Sequence, residues 1–290
     1  MPTKIEKDAV TGTETTGHEW DGIKELNTPL PKWWLWVLYA TIAWSLVYYV
    51  FYPAIPYVTG ATNGLLGWSS REQIREQLAE AEAARADYLD GLREVELAAI
   101  PDDARLFEFA RRGGQAVFNE NCAQCHGVGG AGNPGGFPVL ADDVWLWGGT
   151  LDAISTTVQH GIRWNDDPDT RISEMPAFGE MLAREEVGQV ADYVLSLSGG
   201  GEGTEADLEA GASLFLDNCA ACHGEQGEGV QDLGAPRLND AVWLYGGTRA
   251  EVIDQVARPK HGVMPAWSGR LDENTIKMLS IYVHSLGGGE

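Results

Sequence analysis

Cysteine is scarce, with four in 290 residues. That is too few for a disulfide scaffold to hold a chain of this size, so spacing and not number decides their use. Basic residues are also short, 20 against 43 acidic, leaving a formal net charge of −23. Phosphate binding needs a surplus of Lys and Arg, so nucleic acid is excluded as a partner. Charge is absent altogether from residues 33–57. The 44% hydrophobic and 22% charged fractions of the whole chain exclude general disorder. What is abundant is glycine, 36 residues against a usual ~7%, and 29 of them fall after residue 112.

The uncharged stretch contains Trp33–Tyr52, 20 residues that span roughly 30 Å as a helix, the thickness of a bilayer's hydrocarbon layer. Trp33, Trp34 and Trp36 cluster at its start and Tyr48, Tyr49, Phe51 and Tyr52 at its end, as rings do at the two headgroup levels. Pro53 and Pro56 then stop the helix. A cleaved signal would begin near residue 1 and end at small residues, whereas here 32 mixed-charge residues precede the run and Tyr-Pro follows it. Residues 33–57 are therefore read as a single uncleaved transmembrane anchor. Lys24 and Lys32 lie before it and the first basic residue after it is Arg71, which puts segment 1–32 in the cytoplasm and the rest outside.

Residues 58–112 read as a helical connector. Ser69 with Glu72, or Ser70 with Gln73, fits a capping box. Ile74, Leu78, Ala81, Tyr88, Leu92 and Val95 then form one apolar face. Such a helix packs on its own domain or faces a partner, and the spacing allows both.

Beyond residue 112 the chain repeats itself once. GGQAVFNENCAQCHG at 113–127 corresponds to AGASLFLDNCAACHG at 210–224, DDVWLWGGT at 142–150 to NDAVWLYGGT at 239–248, and EMPAFG at 174–179 to VMPAWSG at 263–269. The expected domains are 113–200 and 201–290, joined through Gly199–Gly203, and the first carries a longer loop before its Met.

Each copy holds Cys-x-x-Cys-His: Cys122, Cys125, His126 and Cys219, Cys222, His223. A Cys pair alone fits a redox disulfide or half a zinc site, but a directly adjacent His marks covalent c-type haem attachment. The thiols bond the haem vinyl groups and the imidazole on the same turn meets the iron. Two copies predict two covalently bound haem c and consume every Cys. A four-thiolate zinc site would leave both His and both Met-Pro loops unexplained. Met175-Pro176 and Met264-Pro265 supply the expected sixth ligands, a His/Met pair being suited to electron transfer. Met181 and Met278, at helical positions, read as core fillers. His160 and His261 are the competing ligands.

Other paired residues suit a haem. Phe118 and Phe215 lie one turn before each Cys pair and Gly114 and Gly211 lie eight residues before; Tyr193 and Tyr282 sit on the C-terminal helices, and a Gly on one helix lets an aromatic on the other approach closely. The carbonyls of Pro138 and Pro236 are placed to accept the axial His Nδ1–H. Trp145, Trp243, Arg163 and Arg237 are candidates for propionate contacts.

Residues 18–34, with His18, Trp20, Asp21, Gly22, Leu26, Asn27, Pro29, Pro31, Trp33 and Trp34, resemble the membrane-proximal motif of the dihaem subunit of cbb3-type cytochrome c oxidases, the CcoP/FixP family. The likeness runs from about residue 16 to 288, and the N-terminal motif joined to an anchor is its most specific part. It implies a mainly α fold, one transmembrane helix followed by two tandem class I cytochrome c domains. It implies an electron-entry subunit, not an enzyme on its own, that takes electrons from a soluble cytochrome c. Its partners would be a catalytic haem–copper subunit and a monohaem cytochrome c subunit in the bacterial inner membrane, with the haem domains periplasmic. No His lies within the span to hold a b-type haem or copper, so oxygen reduction would occur on another chain. The family also raises the arrangement in which each Met serves the haem of the other repeat. His126 and Met175 are 49 positions apart and His223 and Met264 are 41, which permits either arrangement. The rival functions are a membrane-anchored dihaem shuttle, the cytochrome subunit of a dehydrogenase, and a dihaem peroxidase. The last needs an exchangeable sixth site that two Met-Pro loops argue against.

Overall fold

A computed structural model describes residues 4–289. The chain divides into two units, up to Ala84 and from Arg85 onward.

The first unit opens with a two-stranded antiparallel hairpin, β1 (Thr15–Trp20) and β2 (Ile23–Leu26). Asp21 and Gly22 turn it with φ of 49° and 84°, the positive pair that a two-residue hairpin of this hand requires. Helix α1 (Lys32–Phe51) has no buried residue, and its mean hydropathy is 1.5. This is the predicted apolar helix to within a residue at each end, and its lack of any buried residue is what a lipid-facing span needs. Past Pro53 the chain makes a short hairpin, β3 (Pro56–Tyr57) with β4 (Gly60–Ala61), and returns. The amides of Leu65 and Leu66 then donate to the carbonyls of Val50 and Phe51 at 2.9 and 3.1 Å, satisfying acceptors that the helix end leaves open.

Helix α2 (Ser70–Glu94) splits the two readings of its apolar face. Ile74 and Leu78 are exposed, whereas in the second unit Leu92 is fully buried and Tyr88 stacks on Phe109 at 4.8 Å. The Lys277 ammonium donates to the carbonyls of Leu92 and Val95 at 3.0 and 3.1 Å, closing this helix end with a cation as the dipole favours. A 3₁₀ segment, Leu97–Asp102, leads into α3 (Ala104–Asn121), so the first helix of the haem region starts upstream of residue 113. Asp103 caps it, accepting from the amides of Arg105 and Leu106.

The rest is helical: α4 (Ala123–His126), α5 (Leu151–His160), α6 (Arg184–Leu197), α7 (Glu205–Asn218), α8 (Ala220–His223), α9 (Arg249–Ala257) and α10 (Glu273–His284). The packing runs across the two sequence repeats. Helix α6, last in the first repeat, packs on α7, first in the second; α3 packs on α10. One core combines Phe118, Ile154 and Val158 of the first repeat with Ile276, Leu279, Tyr282 and Val283 of the second. The other combines Val187, Val190 and Val194 of the first with Phe215, Val252 and Val256 of the second. The cause is connection length. Only residues 198–204 separate α6 from α7, and consecutive helices on so short a turn fold against each other as a hairpin. Helices α3 and α10, left without that partner, then pair at the two ends of the region.

Met278 fills a core between α3 and the end of α2, as a helical Met should. Met181 does not: it follows a 3₁₀ turn and is 61% exposed, so its reading as a core residue is corrected.

Candidate haem-binding sites

Both Cys-x-x-Cys-His motifs form a separate helical turn, α4 and α8, directly after a longer helix ends at the first Cys. The amides of His126 and His223 donate to the carbonyls of Cys122 and Cys219 at 2.9 and 3.0 Å, so the pair and the imidazole share one turn. The following loops carry the same bonds in each copy. Gly132 donates to His126 O and Leu140 to Gly130 O, as Gly229 does to His223 O and Leu238 to Gly227 O, all at 2.7 Å. These fix the Pro-x-Leu segments beneath the imidazoles. His126 Nδ1–H donates to Pro138 O at 3.3 Å and His223 Nδ1–H to Pro236 O at 3.0 Å, the two carbonyls expected from the sequence.

That bond fixes the tautomer and leaves Nε2 with a free lone pair. Burial holds both imidazoles below their ordinary pKa, against the opposing pull of the carbonyl, so they stay neutral and able to ligate. Burial, with a smaller push from the neighbouring Cys, raises the Cys122 and Cys219 thiols to about 11. They are protonated thiols at neutral pH and not the low-pKa thiolates of a redox dithiol. Cys125 and Cys222 are exposed. Cys122 and Cys219 belong to different cores, so the two pairs do not converge on a zinc site.

Each Met lies with the Cys turn of the other repeat. Met264 packs against the core that includes Phe118, Cys122, Leu140 and Trp145; Met175 packs against the one with Phe215, Cys219, Leu238 and Trp243. The aromatic pairs follow the same exchange, Phe118 with Tyr282 and Phe215 with Tyr193, both at 5.3 Å. The glycines permit it. A Cβ on Gly114 would stand 2.0 Å from Met278 O and 2.7 Å from Tyr282 Cβ, and one on Gly211 would stand 2.2 Å from Gln189 O.

The remaining candidates sort by their hydrogen bonds. His160 Nδ1 is 3.2 Å from the Asp167 carboxylate and His261 is exposed, so neither joins a Cys turn. Trp145 Nε1 donates to Gly288 O, and Arg163 donates to two backbone carbonyls, so in both the expected propionate donor is engaged by the chain itself. Trp243 packs in the second core. Arg237 lines a cleft with Trp145 and Asp232.

The donor sets fit haem c: on each turn two thiols, a neutral imidazole with Nε2 free, and a thioether packed nearby from a Met-Pro loop. This defines a c-type cytochrome whose two Cys-x-x-Cys-His turns follow, in sequence, an apolar helix long enough to cross a membrane. The family models agree. Residues 12–59 match the N-terminal domain of cytochrome oxidase-cbb3, FixP; 112–198 match cytochrome c; and 206–283 match cytochrome C oxidase, cbb3-type, subunit III. The chain is 52% identical, over 97% of its length and 98% of the relative's, to the cbb3-type cytochrome c oxidase subunit FixPc of Rhizobium leguminosarum bv. viciae. It is 52% identical to the subunit CcoP of Azospirillum sp. (strain B510), over 98% of both chains. It is 50% identical to the subunit FixP of Bradyrhizobium diazoefficiens over the whole of both. The chain belongs to the CcoP/FixP family of cbb3-type cytochrome c oxidase subunits.

Two features escaped the sequence reading. The β1–β2 hairpin was signalled by Asp21-Gly22, a two-residue turn pair. Arg163, which the sequence offers only as a candidate for propionate, stands in the extra loop of the first repeat, a segment the second repeat lacks.

Proposed function

We propose that this chain carries two haem c groups and passes electrons from a soluble cytochrome c to the haem–copper subunit that reduces oxygen. Cys122 and Cys125 would hold one haem, with His126 and Met264 supplying ligands to its iron; Cys219 and Cys222 would hold the other, with His223 and Met175. Bound haem supplies a one-electron iron couple. The residues of the chain set its conditions: Pro138 and Pro236 orient the imidazoles, the thioethers favour the reduced state, and Phe118, Tyr282, Phe215 and Tyr193 keep water from the ligands.

Helix α1 would anchor the chain once in the bacterial inner membrane, with Lys24 and Lys32 on the cytoplasmic side and the acidic haem region in the periplasm. The partners would be the catalytic subunit and a monohaem cytochrome c subunit. The observation that carries this reading is the meeting of a Cys-x-x-Cys-His turn with a Met-Pro loop in each of two cores. The test is purification in mild detergent with analysis of haem and copper. Two haem c per chain and co-purifying haem b and copper are expected. A lone dihaem chain would refute the oxidase assignment, and a high-spin haem that reacts with peroxide would favour a peroxidase.

A further inference from the structure

The extra loop of the first repeat, between Gly161 and Met175, reaches both Met-Pro loops. Ile162 exchanges backbone hydrogen bonds with Met264, amide to carbonyl in each direction, at 2.9 and 3.0 Å. A Cβ on Gly161 would stand 2.3 Å from Met264 O, so the approach depends on glycine there. Next to it, the Arg163 guanidinium donates from Nε to Gly262 O at 2.7 Å and from Nη1 to Ser173 O at 2.8 Å. Gly262 is two residues before Met264, and Ser173 is two residues before Met175. One side chain therefore grips the equivalent carbonyl ahead of both methionines.

Arg163 holds this position with φ of +52°, in the left-handed region where a non-glycine residue is strained. Its side chain is half-buried. A solvated surface arginine would have no need of either. The second repeat passes straight from Gly262 to Met264 and has no counterpart.

We propose that Arg163 is a positioning residue that ties the two Met loops together, so that both axial methionines are held, and released, through one guanidinium. This rests on the exchanged Met ligation proposed above. Each bond from a charged donor to a part-buried carbonyl shifts a local equilibrium by about tenfold or more. Loss of Arg163 should therefore favour opening of both Met loops together. The coupling would make the redox behaviour of the two haems interdependent without a contact between their ligands.

The test uses the full haem-loaded chain in detergent. Imidazole displaces axial Met, and the near-infrared sulfur-to-iron band reports how much Met remains bound. In Arg163→Ala the whole band amplitude should be lost at roughly tenfold lower imidazole, and both midpoint potentials should fall. Arg163→Lys, able to reach one carbonyl but not both, should restore only half of the amplitude to wild-type behaviour. Lys277→Met serves as the control for general destabilisation, because it also removes a cation from two backbone carbonyls, those of Leu92 and Val95, neither of which lies in a Met loop. It should lower the melting temperature and leave imidazole binding unchanged. In Arg163→Ala, a shift confined to half the band, no shift, or one matched by Lys277→Met would overturn the coupling while Met ligation stands. A wild-type chain with no sulfur-to-iron band would overturn the ligation reading and the coupling with it.

Discussion

Alanine at position 114 separates helix propensity from packing. In a helix interior, Gly→Ala is worth about 1 kcal/mol in favour of the folded state. At 114 the added methyl would lie 2.0 Å from the Met278 carbonyl and 2.7 Å from Tyr282 Cβ, both on α10. Backbone cannot swing aside as a side chain does, so α3 and α10 must separate by on the order of 1 Å to reach ordinary contact. Overpacking of this kind costs about 1–3 kcal/mol, and moving Tyr282 from Phe118 forfeits about 1 kcal/mol more. The net effect should be a loss of about 1–3 kcal/mol, read as a melting temperature roughly 2–10 °C lower. Gly113→Ala is the internal comparison. Its methyl would meet Met278 Sδ at 2.5 Å, the flexible end of a side chain that can rotate away, so this variant should be neutral or slightly stabilising. Thermal unfolding of the two haem-loaded variants beside wild type decides the matter. A Gly114→Ala chain as stable as Gly113→Ala would refute the close crossing of α3 and α10, and with it the packing across repeats.

Three further outcomes follow from the packing and charge. Asp192, buried on α6, accepts two bonds of 2.7 Å from Arg249 on α9; Asp192→Asn breaks this fork and should cost about 2 kcal/mol in thermal unfolding. The amides of Leu106 and Arg105 hold the Asp103 carboxyl below its ordinary value of 3.8. Its contribution is therefore complete above that pH and is lost as pH falls through the lowered value, so Asp103→Asn should flatten this part of the acid-unfolding profile. With −9 on residues 113–200 and −8 on 201–290, oxidation of a basic cytochrome c by the intact complex should slow as salt rises; a rate indifferent to ionic strength would remove electrostatic steering from the account.

What could be read from sequence was local. The Cys-x-x-Cys-His turns, the anchor between Trp33 and Pro53, and the Pro138 and Pro236 carbonyls depend on neighbours within a few residues or on one repeated spacing, and all three stand in the structure. Which Met meets which Cys turn depends on how helices pair, and separations of 49 and 41 positions restrain that hardly at all. The deciding feature was the short 198–204 connection, visible in the sequence but meaningful only once α6 and α7 have firm ends. Arg163 shows a different limit. Its charge suggested an anionic partner, yet its bonds go to neutral carbonyls of Gly262 and Ser173, which no sequence pattern marks as acceptors. Met181 differs for a third reason: it stands not at a helical position but just after the 3₁₀ turn Phe178–Glu180, before α6 begins at Arg184.

The central claim is the exchange of axial methionines between the repeats. Replacing Cys219 and Cys222 with Ser in the full chain leaves only the haem on Cys122 and Cys125, and its sulfur-to-iron band then reports one ligand. Met264→Ala in that background should abolish the band and Met175→Ala should leave it in place. Loss of the band with Met175→Ala and its survival with Met264→Ala would contradict the account.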